Sequence, residues 1–274
     1  LLKDEAWEVR CSAAETLGCQ ATLPAEILKS LVSLLKFHTG NVQSSAAKAL
    51  RRQPTLPVEI LESLASLLKD RSVYVRFSVA EALRGQLTLP SEILNSQIVL
   101  LNDTAWDMRA SAAETLRGHS SLPTEALESL VLLLRDEVSG VRRSAVYALG
   151  GQTSLPEWIL ETLVLLLKDE EWNTGYAAAY TLERQLALPE KIIEFLALLL
   201  QDKDWGPPSF AAYALGGQRS LPKRILESLV LLLKDGNTST RPSAAYALGT
   251  QSALPEEILE SIASLLKHED KNVR

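Results

Sequence analysis

The chain has 274 residues, 46% of them hydrophobic and only 5% aromatic, and a formal net charge of −6. Such acidity argues against a protein whose whole surface serves DNA or an anionic membrane, although a local basic patch remains compatible with it. No apolar run reaches 18 residues, and no signal-type leader or lipidation motif is present, so nothing in the sequence places the chain in or on a membrane.

The first pattern along the chain is VRCSAAETLGCQ, Val9 to Gln20. Its stripe of Val9, Ala13, Thr16 and Leu17, with small residues between, predicts a helix, type B, that ends near Gly18; Gly85 and Gly118 hold the same place in later copies. Cys11 and Cys19 lie eight residues apart in it, which separates their Cα atoms by about 12 Å along a helix, too far for a disulfide. Free thiols make the reducing cytoplasm the expected compartment, and the isolated sequons at Asn102 and Asn237 weigh little against it. The next pattern, LPAEILKSLVSLLK from Leu23 to Lys36, puts Ile27, Leu28, Leu31, Val32, Leu34 and Leu35 on one face of an amphipathic helix, type A. Pro24 suits its first helical position, and the acid that follows suits the positive helix N-terminus.

From there the chain repeats itself. Pro24, Pro57, Pro90, Pro123, Pro156, Pro189, Pro222 and Pro255 each fall 33 residues after the last. Equal steps without insertions predict one supersecondary unit stacked about eight times, a single array over residues 1–274 with no interior boundary or linker. Leu1 falls at the last turn of an A helix and Arg274 where a B helix should begin; without capping repeats, the chain is expected to be a piece of a longer protein.

Two further rows keep the same period. An aspartate recurs between A and B at Asp4, Asp70, Asp103, Asp136, Asp169, Asp202 and Asp235, with an arginine six residues on at Arg10, Arg76, Arg109, Arg142 and Arg241. The aspartate is expected to cap the following helix and to be reached by an arginine of the next repeat; identical pairs along an array form a structural ladder rather than catalytic acids and bases. Gln20, Gln53, Gln86, Gln152, Gln185, Gln218 and Gln251, replaced once by His119, stand four residues before each proline and are read as clamps of the short B-to-A loop.

The segment LLLRDEVSGVRRSAVYALGGQ collects these features: a Leu-rich helix, Asp in the turn, Val-Arg opening a second helix, then the Ala-rich run. It resembles HEAT repeats, in particular the short HEAT-like type named after phycobilisome lyases, over essentially the whole chain. The Thr-Pro-Leu-His phrase of ankyrin repeats, which share the period, is absent. The resemblance implies an all-α, right-handed α-solenoid that binds proteins or peptides as a scaffold. Similar arrays form the sensor ends of NACHT-type STAND NTPases, which makes a ligand-sensing region a further alternative, though no nucleotide motif lies in this chain.

Function should be carried where the repeats differ. One B-helix row reads Glu15, Lys48, Glu81, Glu114, Tyr147, Tyr180, Tyr213, Tyr246, and the row three residues on reads Gly18, Arg51, Arg84, Arg117, Gly150, Glu183, Gly216, Gly249. The first half thus presents Glu–Arg pairs, and the second half tyrosines beside glycines that could floor a groove on the concave side. Tyr147, Tyr180, Tyr213, Tyr246 and Tyr176 are the candidate partner-binding residues, with Tyr180 and Tyr213 as the central pair. The alternative for these tyrosines is packing at the core rim. In WGPPSF, Gly206-Pro207-Pro208 replaces the usual helix opening, so this B helix is expected to begin late; its A-to-B turn and that of WNTGY, with Trp205 and Trp172, should be loose. The rival to a peptide scaffold is a nucleic-acid binder using Lys48, Arg51, Arg52, Arg84 and Arg117, with Glu15, Glu81 and Glu114 neutralising most of that strip. His38, His119 and His268 stand too far apart to hold one metal, and no catalytic or nucleotide motif is present, so no enzyme activity, metal or cofactor is expected.

Overall fold

A computed structural model describes the chain except for residues 38, 85, 87, 88, 118, 120, 205, 235–238 and 266–274. His38, Gly85, Gly118, Trp205, Asp235, Asn237, His268 and Arg274, singled out above, therefore lie outside the described residues. The B helices are α1 (Trp7–Gly18), α3 (Gly40–Arg51), α5 (Val73–Leu83), α7 (Trp106–Leu116), α9 (Ser139–Leu149), α11 (Trp172–Glu183), α13 (Gly206–Leu215) and α15 (Arg241–Gly249). The A helices alternate with them: α2 (Ala25–Leu34), α4 (Val58–Leu67), α6 (Ser91–Leu100), α8 (Thr124–Leu133), α10 (Glu157–Leu165), α12 (Glu190–Leu199), α14 (Lys223–Lys234) and α16 (Glu256–Leu265). A 3₁₀ turn, Leu166–Lys168, follows α10, and no strand occurs among the described residues. The chain is an all-α solenoid of 33-residue two-helix repeats, and it divides into two compact units, Leu1–Ala148 and Leu149–Arg274.

The repeated proline sits one position earlier than its expected place. Pro24, with φ −59° and ψ 147°, is the N-cap of α2, and its carbonyl accepts from the N–H groups of Ile27 and Leu28. Pro57, Pro90, Pro156 and Pro189 do the same. The ring fixes a helical φ while the extended ψ turns the chain out of the preceding loop, so proline both starts the helix and breaks the run before it.

In each unit the A helices supply large apolar side chains and the B helices small ones. Leu31, Leu64 and Leu130 of the first unit, and Leu163, Leu196 and Leu229 of the second, form a row with no solvent exposure. The B helices stand side by side, α1 with α3, α5 and α7 in the first unit and α11 with α13 and α15 in the second. Their contact surfaces are alanines such as Ala14, Ala46, Ala80, Ala178 and Ala212. Glycine at the B-helix end serves close approach at Gly18 and Gly217, whereas Gly249 at the end of α15 faces open space. A Cβ on Gly18 would come 2.9 Å from the Ala49 Cα, and one on Gly217 would come 1.9 Å from the Glu183 carbonyl oxygen.

The aspartate is an Asx turn rather than a helix cap. Its Oδ1 accepts from the N–H two residues on, as Asp70 does from Ser72 and Asp103 from Ala105, at 2.8 and 2.9 Å. The arginine reaches forward, opposite to the expected direction. Arg109 donates to the Asp103 carbonyl of its own turn and, through Nε and Nη2, to both carboxylate oxygens of Asp136 in the following repeat, at 2.7 and 3.0 Å. Arg76 joins the Asp70 carbonyl to Asp103 in the same way. Burial pushes the Asp136 carboxyl up, but hydrogen bonds from Arg109 and the Val138 N–H outweigh it and hold the group below its ordinary value.

The glutamines clamp neighbouring loops to each other. Gln86 donates to the Gln53 carbonyl and accepts from the Leu56 N–H; Gln218 treats Gln185 and Leu188 identically, all at 2.9–3.2 Å. An amide satisfies both because it carries a donor and an acceptor on one planar group. His119 takes this position once, and burial lowers its pKa.

Candidate partner-binding surface

The exposed faces of α11, α13 and α15 follow from two substitutions in the arginine row. Where other repeats have Arg76, Arg109 or Arg241, the repeats of α11 and α13 have Gly175 and Pro208. Phe210, at a position that is serine in six other repeats, fills the space an arginine would have crossed. Its ring lies where a Gly175 Cβ would be, 2.6 Å away, and its centroid is 4.3 Å from that of Trp172. The turn is accordingly packed at Trp172 rather than loose. Nor does the B helix start after its prolines: α13 begins at Gly206, and Pro207 and Pro208 lie buried in its first turn, where a missing N–H breaks no intrahelical bond.

Beyond this plug come the tyrosines. Tyr213 stacks on Tyr246 with centroids 5.3 Å apart and meets Tyr176 at 5.8 Å. Tyr176 and Tyr246 remain 44% and 39% exposed, whereas Tyr213 between them is half-buried. Tyr180 turns instead to Arg184, whose guanidinium lies 5.5 Å from its ring centroid and donates to its hydroxyl. Tyr147 stands on α9 with the Arg117 guanidinium 4.5 Å from its ring centroid. Ring contacts thus join Tyr176, Tyr213 and Tyr246.

The glycine beside this row is not open floor throughout. The Tyr246 ring lies over Gly216, where a Cβ would meet it at 2.4 Å, and its hydroxyl donates to Glu183 Oε1 at 2.7 Å. That bond raises the Tyr246 pKa. Burial first, then Tyr176, Glu183 and Tyr246 nearby, push the Tyr213 hydroxyl up to about 12. Both phenols therefore keep their protons at neutral pH and act as donors. Next to Tyr246 opens a cavity of about 620 Å³, with Glu183, Arg184, Leu186, Arg219 and Thr250 around Gly216 and Gly217. Sequence reading passed over Arg184, Leu186 and Arg219; the available signal was Arg184 standing where the flanking repeats have Gly151 and Gly217.

The equivalent face of the first unit is built from charge. Arg51 pairs with Glu81, Arg84 with both Glu81 and Glu114, and Arg117 with Glu114, at 3.0–3.8 Å. Three of the five cations of the supposed basic strip are thus paired, Arg51 and Arg84 across repeats and Arg117 within its own. Among the described residues no group of three His, Cys, Asp or Glu is placed to hold a metal ion, and no helix is long and apolar enough to cross a membrane.

Repeats of this geometry define a class: α-solenoids built of stacked two-helix repeats. The family model described as HEAT repeats matches residues 1–84. The fold is similar to that of an engineered protein of known crystal structure, at 24% identity and a TM-score of 0.54, covering 99% of this chain and 84% of that one. It is also similar to the X-ray structure of YibA from Escherichia coli, at 19% identity and a TM-score of 0.60, covering 98% and 94%. A search of curated proteins gives no significant match.

Proposed function

We propose that the chain is a non-catalytic cytoplasmic scaffold, one continuous array, that binds an extended segment of a protein partner across α11, α13 and α15. The observation that carries this reading is the Tyr176–Tyr213–Tyr246 cluster on helices nearly free of charge. Glu183 is the one acidic residue of the three helices, α13 has no charged residue, and the one charge of α15, Arg241, is buried. Tyrosine gives area, rigidity and a hydroxyl at little entropic cost, which is why it concentrates in binding hot spots. Helices packed about 8–10 Å apart give two steps of roughly 16–20 Å, the span of about five or six extended residues.

Selection of displayed nonapeptides against the whole chain tests it. Tyr213→Ala is expected to weaken the selected peptides most, by about 2 kcal/mol or more, and Tyr176→Ala and Tyr246→Ala less. Ligands that map to the A helices, or that bind all three folded variants as well as the parent, would overturn it.

A further inference from the structure

The tyrosine surface has two unlike edges. Where α11 and α13 begin, the preceding turns carry Asp169, Glu170, Glu171, Asp202 and Asp204. Where they end, Arg184 and Arg219 border the cavity beside Tyr246, both exposed. Arg184 spends one N–H on the Tyr180 hydroxyl, and the Arg219 side chain makes no hydrogen bond or ion pair among the described residues. Elsewhere in this unit four surface cations are matched, Lys168 with Asp202, Lys191 with Glu161, Lys223 with Glu257 and Arg224 with Glu194, while Lys203 and Lys234 stand exposed without an ion pair among the described residues. What sets Arg184 and Arg219 apart is that both line one cavity, beside an exposed tyrosine. Glu183 offsets one of the two charges, and its Oε1 is occupied by the Tyr246 hydroxyl. The helix ends there contribute partial negative charge of about half an elementary charge each, which together with Glu183 roughly balances the two guanidiniums on paper; that partial charge is spread over solvated carbonyls and screened, whereas each guanidinium can donate directly to a bound carboxylate.

The geometry points to an acidic peptide as the ligand of this edge: an extended segment whose apolar or aromatic side chain lies on Tyr213 and Tyr246 and whose Asp or Glu carboxylate enters the cavity to be held by Arg184 and Arg219. Paired N–H groups of a guanidinium fit a carboxylate in two parallel hydrogen bonds, and the open volume of about 620 Å³ accommodates the side chain. The acidic edge opposite fixes polarity, because it repels a second carboxylate and favours a basic residue there. Tyrosine and arginine also suit single-stranded nucleic acid, but a phosphate at every step would have to pass an edge of five carboxylates offset only by Lys168 and Lys203. This inference rests on the peptide-scaffold reading and adds the chemistry of its ligand.

The test uses the whole chain and fluorescein-labelled nonapeptides selected from an unbiased display library, with each selected Asp or Glu replaced in turn by Gln. The expected result is enrichment of an acidic residue at one position. Arg184→Ala with Arg219→Ala should weaken the acidic peptide at least tenfold and leave its Gln counterpart unchanged. Glu183→Gln keeps an acceptor for Tyr246 and removes the opposing charge, so it should tighten acidic peptides several-fold. Circular dichroism of each variant confirms folding. Selected peptides that need Tyr213 but carry no acidic residue and ignore both arginines would overturn the inference and leave the scaffold reading intact. Selection of no Tyr213-dependent peptide would overturn both. A labelled oligothymidylate that binds with the same arginine dependence, and more tightly than any peptide, would replace the acidic peptide with nucleic acid.

Discussion

Asp136 and Asp202 occupy the same turn of the repeat two periods apart, yet they are held in different ways. Asp136 receives both donors of Arg109, whereas Asp202 is met at 2.6 Å by Lys168 because residue 175 is glycine. The missing arginine leaves a channel, and Trp172 and Phe210 close it with aromatic surface. In Leu1–Ala148, then, Arg76 and Arg109 join neighbouring repeats at this level by charge-assisted hydrogen bonds; in Leu149–Arg274 the Trp172–Phe210 contact takes the arginine's space and the Lys168–Asp202 pair remains charged there. The same contrast appears on the B-helix face, as the Arg–Glu chain through Glu81 and Glu114 in one unit and as stacked tyrosines in the other. A repeat specifies backbone stacking through its alanines and leucines, and this leaves the chemistry of the inter-repeat bridge free to change.

The largest effect should come from the aromatic bridge. Phe210→Ala removes a buried ring and is expected to cost about 3–5 kcal/mol, read as loss of hydrogen-exchange protection in the second unit. Gly175→Ala should cost about 1–3 kcal/mol alone by overpacking against that ring, and less when Phe210 is already alanine. Strict additivity of the two would break the comparison by showing that they do not share a space.

Arg109→Met is expected to cost about 2 kcal/mol in the first unit, since hydrogen bonds to a charged partner are lost and the carboxylate remains largely enclosed. Because the folded-state pKa of Asp136 is depressed, its contribution is present above the unfolded value of about 3.9 and is lost as pH falls through the folded value. The difference between parent and variant in urea titrations should therefore shrink below about pH 4.

Gln97 interrupts the buried leucine row, with no exposure and no hydrogen-bond partner for either amide atom. Gln97→Leu restores the pattern of Leu64 and Leu130 and is expected to stabilise the first unit by about 1–2 kcal/mol, measured by chemical denaturation. Destabilisation would mean that the amide serves a purpose the row does not reveal.

The smallest effect concerns the clamp. Burial lowers the His119 pKa, so the unfolded chain binds the proton more readily, and stability present at neutral pH declines as pH falls below about 6.5. His119→Gln should remove that slope and leave stability at pH 7.5 nearly unchanged; an identical slope in the variant would place the titration elsewhere.

The period, the two helix types and the ladder residues were legible in the sequence, because each depends on one face of one helix recurring at fixed spacing. Leu31, Leu64 and Leu130 fall inward for the same local reason each time, and Gln53 and Gln86 meet identical loops. The tyrosines could be grouped by register for that reason too. What only the tertiary structure decided is who touches whom across repeats. Arg109 reaches forward to Asp136, Tyr213 contacts Tyr176 and Tyr246 while Tyr180 turns to Arg184, and Phe210 enters the gap above Gly175. These choices depend on the stagger between adjacent helices and on the volume a missing side chain leaves next door, and neither quantity is a property of any single repeat.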